Sequence, residues 1–273
     1  MTVASSARRN ARRVATSRPL EIMFRIGFVG YGLLHLAVGW LAIQLALGKQ
    51  AGESSQSGAF QTLARQPFGR FLLIVVVVGL AAMALWQLLL AAVGHYGERH
   101  RTLERLASLG RTIIYAALAW TAFKVVVGVP PSSAQQQQQA TAGVLGKPFG
   151  QFLVAVAGLA VLALGIGLLV YGAKRQFERR LMMYRMSEAT RQTARRLGQV
   201  GYIAKGIAFG IVGLLLFDAA VTHDPARSRG LDAALRAIIA EPFGKWLLFF
   251  VAVGFVAFGI YCFFQVRYRK ATT

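Results

Sequence analysis

The tripeptide Pro-Phe-Gly occurs three times, as Pro67-Phe68-Gly69, Pro148-Phe149-Gly150 and Pro242-Phe243-Gly244, each time at the head of a long apolar run. Each copy continues with one polar residue (Arg70, Gln151, Lys245), an aromatic (Phe71, Phe152, Trp246) and a leucine (Leu72, Leu153, Leu247). The intervals are 81 and 94 residues, so one unit is written three times. A second apolar run precedes the tripeptide in every unit, which makes six runs in all.

The runs are Ile26–Leu47, Phe71–Ala92, Thr112–Val129, Phe149–Tyr171, Val200–Val221 and Trp246–Val266. About 20 apolar residues suffice to cross a hydrocarbon core of roughly 30 Å. A backbone in lipid must satisfy its own hydrogen bonds, so each run is predicted to be a helix. A composition of 56% hydrophobic and 15% charged residues excludes an ordinary soluble fold, because six such runs would overfill a soluble core. The expected fold is therefore an all-α integral membrane protein. Its six transmembrane helices form three parallel two-helix repeats, arranged pseudo-threefold. The repeats read as 20–97, 98–177 and 190–270, after a basic tail at 1–19. Two spans per unit give every copy the same orientation, unlike the inverted repeats of many transporters.

Lysine and arginine divide unevenly between the two sides. With the spans taken in order, 21 lie on the side of the termini and 8 on the other, while the ten acidic residues split evenly. The positive-inside rule then places both termini in the cytoplasm of an inner (plasma) membrane. The net charge of +21 follows from this topology and from contact with anionic lipid headgroups at the cytoplasmic face. Nucleic acid is not an expected partner, because the aromatics lie in the spans and not among the basic residues. The tail carries Arg8, Arg9, Arg12, Arg13 and Arg18 without an acid, and reads as a disordered cationic segment rather than a transit peptide. Cys262 is the only cysteine, so no disulfide forms within one chain.

The first helix of each unit opens alike. Arg25-Ile26-Gly27-Phe28-Val29-Gly30-Tyr31 parallels Arg196-Leu197-Gly198-Gln199-Val200-Gly201-Tyr202, while Ser108-Leu109-Gly110-Arg111 keeps little of it. Counting back from proline, positions −7, −4 and −3 are Phe60, Leu63, Ala64 in the first copy and Leu235, Ile238, Ile239 in the third. That helical spacing predicts a short interfacial helix before each tripeptide. Pro67, Pro148 and Pro242 then fit the first turn of the helix that follows. Gln135–Gln139 reads as a mobile low-complexity linker, which leaves the middle copy with the most degraded interfacial helix.

The threefold two-helix unit, its Pro-Phe-Gly-x-aromatic-Leu signature and the basic exit Arg267-Tyr268-Arg269 resemble a bacterial membrane family, domain of unknown function 1206. The resemblance covers nearly the whole chain. It implies a six-span inner-membrane protein and transfers no activity and no functional residues. Arginine's excess over lysine, with abundant alanine and glycine, also fits a GC-rich bacterial genome.

Four ionisable residues at depth are the candidate site residues: His35, Lys124, Lys205 and Asp218. Lys205 lies about 9 Å inside its span and reads as snorkelling to the headgroups, with a cavity-lining role as the alternative. His35, with Gly32 and Gly39 on its face, reads as a structural histidine bonded to a neighbouring carbonyl, with proton relay or ligand contact as the alternative. Lys124 and Asp218 each sit about one turn from the outer end of a span, and are expected to pair. Gly206-x-x-x-Gly210 with Gly213 reads as a close-packing face of the fifth span. No catalytic grouping, P-loop, HExxH or Rossmann fingerprint is present, and no cofactor or metal is expected. The function read from these features is a non-catalytic accessory, scaffold or membrane-organising protein, working with a membrane-protein partner or as a homo-oligomer. The alternative is a small channel or transporter with a path between the repeats.

Overall fold

The computed structural model describes residues 18–49, 53–93, 101–129 and 132–269. Residues 1–17 of the tail expected to be disordered fall outside them, while Arg18, counted in that tail, opens the first helix. Among the described residues, six helices are long and apolar enough to cross a membrane: α1 (Arg18–Ala46), α3 (Gly69–Val93), α4 (Arg101–Val126), α6 (Gly150–Ala173), α7 (Glu188–Thr222) and α9 (Gly244–Tyr268). Three shorter helices precede the tripeptides: α2 (Gln56–Ala64), α5 (Ser133–Leu145) and α8 (Gly230–Ala240). Among the described residues there is no strand, only a single antiparallel bridge between Leu181 and Arg269.

The tripeptide makes the same turn in all three copies. Gly69, Gly150 and Gly244 donate their N–H groups to the carbonyls of Gln66, Lys147 and Glu241 at 2.7, 2.9 and 2.8 Å. Phe68, Phe149 and Phe243 take φ of 59°, 60° and 61°. A proline followed by a left-handed residue, closed by this bond, is a type II turn.

That turn corrects the expected place of the prolines. Pro67, Pro148 and Pro242 are not in the first helical turns of the spans; each stands two residues ahead, exposed, in the turn itself. The reason is that a type II turn needs the fixed proline φ at its own second position. Phe68, Phe149 and Phe243 are corrected with them. None opens its span as part of the apolar run; each projects from the turn, 84–85% exposed, and helix begins only at the glycine that follows. Glycine is required there. A Cβ on Gly69, Gly150 or Gly244 would run into the carbonyl oxygen of Leu63, Val144 or Ile238 on the short helix folded back above it.

The short helices join at one end of the bundle, here termed the Pro-Phe-Gly end, through a buried polar hub. The Glu53 carboxylate accepts hydrogen bonds from the hydroxyls of Ser55 and Ser57 and from the N–H of Ala134, at 2.9 Å, in the first turn of α5. Ser54 donates its N–H to Asp232 of α8 at 2.8 Å, and the other Asp232 oxygen takes Arg236 at 3.0 Å. Neighbouring residues of one loop therefore bind repeat 1 to repeats 2 and 3. The middle helix is not degraded: α5, at 13 residues, is the longest of the three. Its glutamines are good helix formers, Ser132 caps it, and the Glu53 carboxylate lies at its positive end.

Lateral packing runs mainly between successive repeats. α3 lies on α4, α6 on α7, and α9 back on α1, with α1 on α3 and α7 on α9 completing the row. The α6–α7 seam is backbone-close, since Gly158 and Gly165 of α6 meet Gly213, Gly210 and Gly206 of α7. A threefold arrangement would also pair α4 with α6. These two helices make no extensive contact, so repeat 2 departs from the pattern of repeats 1 and 3. They are also the least buried spans, each 17% buried in its most apolar stretch.

Candidate functional site

Lys205 of α7 points into the bundle. It is 7% exposed, its Nζ donates to the Tyr31 hydroxyl of α1 at 2.9 Å, and it stands 4.0 Å over the Phe258 ring and 5.0 Å from the Tyr31 ring centroid. An ammonium desolvated against aromatic faces gains on the order of 2 kcal/mol of cation–π attraction. The snorkelling expectation is corrected. Depth along the helix allows Lys205 to reach the headgroups, but its azimuth faces α1 and α9, where a hydroxyl and two rings replace water.

His35 belongs to the same cluster. Its Nδ1 lies 2.8 Å from the Tyr31 carbonyl one turn earlier, and its ring packs 4.7 Å from Phe258. Tyr115 of α4 stands edge-on to Tyr31 with ring centroids 5.5 Å apart. The first span of every repeat thus contributes one polar residue to a common layer: Tyr31, Tyr115 and Lys205. Thr121 does not join it, because its hydroxyl turns back to the Ala117 carbonyl at 2.9 Å. The sequence marks Tyr31 only as part of a repeated opening and gives no sign of Tyr115 or Phe258. The available signal is the position of Tyr31 four residues before His35, on one helix face.

Lys124 and Asp218 do not pair. Asp218 is taken by Arg227, nine residues further along the same chain, in an ion pair shared with Asp224. Lys124 lies 5.8 Å from the Trp120 ring centroid on its own helix. Equal depth does not imply proximity, and a local arginine in the following turn captures the carboxylate.

At the end of the bundle where the described residues begin and end, here termed the terminal end, a linker of two 3-10 turns (Gln176–Arg180 and Met183–Arg185) folds back over the helices. Phe177 is fully buried there, stacked at 5.5 Å on Tyr202 and edge-on at 5.4 Å to Tyr261. The Met182 N–H donates to the Tyr268 carbonyl at 2.7 Å and the Leu181–Arg269 bridge continues the contact. This sets Arg180 beside Arg269, whose guanidinium lies 4.9 Å from the Phe28 ring and donates to Gln265 at 2.6 Å. Burial first, then the charge of Arg180, pushes the Arg269 pKa below its ordinary value.

The model of a family described as Domain of Unknown Function (DUF1206) matches the chain three times, over residues 26–94, 106–175 and 200–269. The chain belongs to this family. The three matched segments are the three two-helix repeats, and each contains one Pro-Phe-Gly turn. The chain is also similar to the Bacillus subtilis (strain 168) protein named "Uncharacterized protein YxxB", at 30% identity over 251 residues, covering 91% of this chain and 90% of that one. No solved structure matches it.

Proposed function

We infer that this member of the 1206 family is a non-catalytic accessory, scaffold or membrane-organising protein of a bacterial inner membrane, with both termini cytoplasmic. The observation that carries the reading is the packing between the Lys205 layer and the Pro-Phe-Gly end. There Val38, Leu41, Val76, Leu248, Val251 and Phe255 belong to one buried apolar cluster. Above it lies the Glu53 and Asp232 hub. An ion or polar solute would have to displace well-packed apolar side chains and then the hydrogen bonds that Glu53 and Asp232 accept. The polar groups at depth are engaged with one another, as Lys205 and His35 are with Tyr31. Their arrangement supports a fixed internal brace more than a path.

Purified protein in liposomes, assayed for potassium, proton and chloride flux, is expected to match empty liposomes. A flux abolished by Lys205→Met would overturn the reading in favour of the channel. Orientation is tested separately in a Cys262→Ala background. An impermeant thiol reagent applied to cells should label Gln66→Cys and spare Ser187→Cys, and the opposite pattern refutes cytoplasmic termini. Gln66 and Ser187 are both exposed, whereas Ser55 is buried and unsuitable.

A further inference from the structure

The same large side chain stands in the same costly place three times. Phe68, Phe149 and Phe243 hold φ of 59–61°, a region that penalises any residue with a Cβ and suits glycine or asparagine. They also sit at the N-terminal boundaries of α3, α6 and α9, where their carbonyls accept the first helical bonds, from the N–H groups of Leu72, Leu153 and Leu247 at 3.1, 3.1 and 3.2 Å. Serine, threonine, asparagine or aspartate at such a position would cap the free N–H groups of the first turn, and phenylalanine has no oxygen to do so. The rings recover neither loss inside the bundle, since they are 84–85% exposed.

The surroundings of each turn say what meets the rings. The aromatic three residues further on, Phe71, Phe152 or Trp246, is 65–68% exposed. In the second copy it heads an exposed apolar stripe of Phe152, Val156 and Leu159, and in the third a stripe of Trp246, Phe250 and Val253, at the spacing of one helix face. Each stripe runs on into its span, so the surface that carries the aromatics is continuous with the surface that meets lipid tails. Exposed cations flank the turns: Arg65 and Arg70 in the first copy, Lys147 in the second, Lys245 in the third. The turn phenylalanine stands one residue before its span begins, at the level where hydrocarbon gives way to headgroups. Aromatic rings at that level, beside lysine or arginine, fit a boundary that is apolar on one side and wet on the other.

We propose that the three Pro-Phe-Gly turns are membrane anchors: Phe68, Phe149 and Phe243 insert their rings into the phospholipid leaflet at that end, among the glycerol groups and the tops of the acyl chains. The left-handed backbone turns each ring away from the bundle, and lipid supplies the apolar contact that the chain does not. Three anchors, one per repeat, fix the depth of the Pro-Phe-Gly end in the bilayer. They serve equally in either leaflet, so they stand apart from the placement of the termini and from any flux.

The test is site-directed fluorescence of the full chain in liposomes of dioleoylphosphatidylcholine and dioleoylphosphatidylglycerol. Bimane is attached to Phe68→Cys, Phe149→Cys or Phe243→Cys in a Cys262→Ala background. Arg229→Cys, at an exposed position just before α8, is the reference in water. Lipids spin-labelled near the top or near the end of the acyl chain report depth, and iodide reports water. Each of the three positions should show emission blue-shifted from the reference, loss of most iodide quenching, and strongest quenching from the label near the top of the chain. Iodide quenching equal to that of Arg229→Cys overturns the proposal, and strongest quenching from the label near the chain end overturns the interfacial level. A blue shift that vanishes as the protein is diluted in lipid would show that a second copy covers the rings, and overturns the lipid contact. The three sites are read independently, so a variant that fails to fold leaves two that decide.

Discussion

The two ends of this bundle handle buried charge in opposite ways. At the Pro-Phe-Gly end the charges are carboxylates, and each is met by short, directed bonds from backbone N–H groups, serines or an arginine. At the terminal end the charges are guanidiniums, which rest against aromatic rings and donate to neutral side chains as well as to Glu104 and Glu178. The first arrangement is closed and holds three repeats in register. The second relies on aromatic faces and neutral acceptors as much as on carboxylates.

The contrast makes the Pro-Phe-Gly end the more fragile to substitution. The largest effect is expected from Gly244→Ala. The new methyl would press on the Ile238 carbonyl oxygen and the Ile239 backbone, and backbone atoms yield less readily than a side chain. A loss of about 3 kcal/mol is expected, read as a lower unfolding midpoint in detergent. An unchanged midpoint would mean that the turn is not held by the helix above it.

Next comes the hub. Asp232→Ala leaves the Ser54 N–H without its acceptor and should lose about 2 kcal/mol. Glu53 adds a pH dependence. Burial raises its pKa, but hydrogen bonds from Ser132, Ser55, Ala134 and Ser57 outweigh that and leave it below the ordinary value. A carboxyl depressed by folding stabilises the protein above its unfolded pKa of about 4.3, and the gain disappears as pH falls through the folded value. Midpoints measured from pH 6 down to pH 3 should fall, and Glu53→Gln should flatten that fall.

A smaller effect of opposite sign is expected at the exposed phenylalanines. Phe243 is 84% exposed and left-handed, so Phe243→Gly should relieve up to about 1 kcal/mol of backbone strain in detergent. The same change in liposomes should bring no gain, because an interfacial aromatic is lost. The smallest effect concerns Lys124 and Asp218. In the double variant Lys124→Asp, Asp218→Lys the two changes should add to within about 0.5 kcal/mol, since the residues do not touch. Strong mutual rescue would contradict the Asp218–Arg227 pair.

Much of this is legible in the sequence, and most of what is not shares one cause. Span number, the threefold repeat and the short helices of the first and third copies follow from hydropathy, from a repeated tripeptide and from helical spacing, all of which run along the chain. Direction around a helix axis is not written that way. Hydropathy gives Lys205 and Lys124 a height without an azimuth, and height alone sends one outward and gives the other a partner it does not meet. Pro67, Pro148 and Pro242 mislead more locally. Proline suits a helix start and a turn equally well, and only the left-handed phenylalanine after each one decides for the turn. The glutamine tract misleads for a different reason. Composition records a low-complexity stretch, while Ser132 at its start and the distant Glu53 supply the cap and the charge that make it a helix.

The unit of duplication and the unit of packing are out of phase. The sequence repeats as α1–α3, α4–α6 and α7–α9, yet the closest pairs are α3–α4, α6–α7 and α9–α1. The first two pairs are covalent hairpins. The third closes through the two ends of the polypeptide, while the lateral break falls midway along the chain, where α4 and α6 stand apart. The tight seam thus joins the first and last spans, while a single repeat, the second, holds the two spans that packing leaves apart.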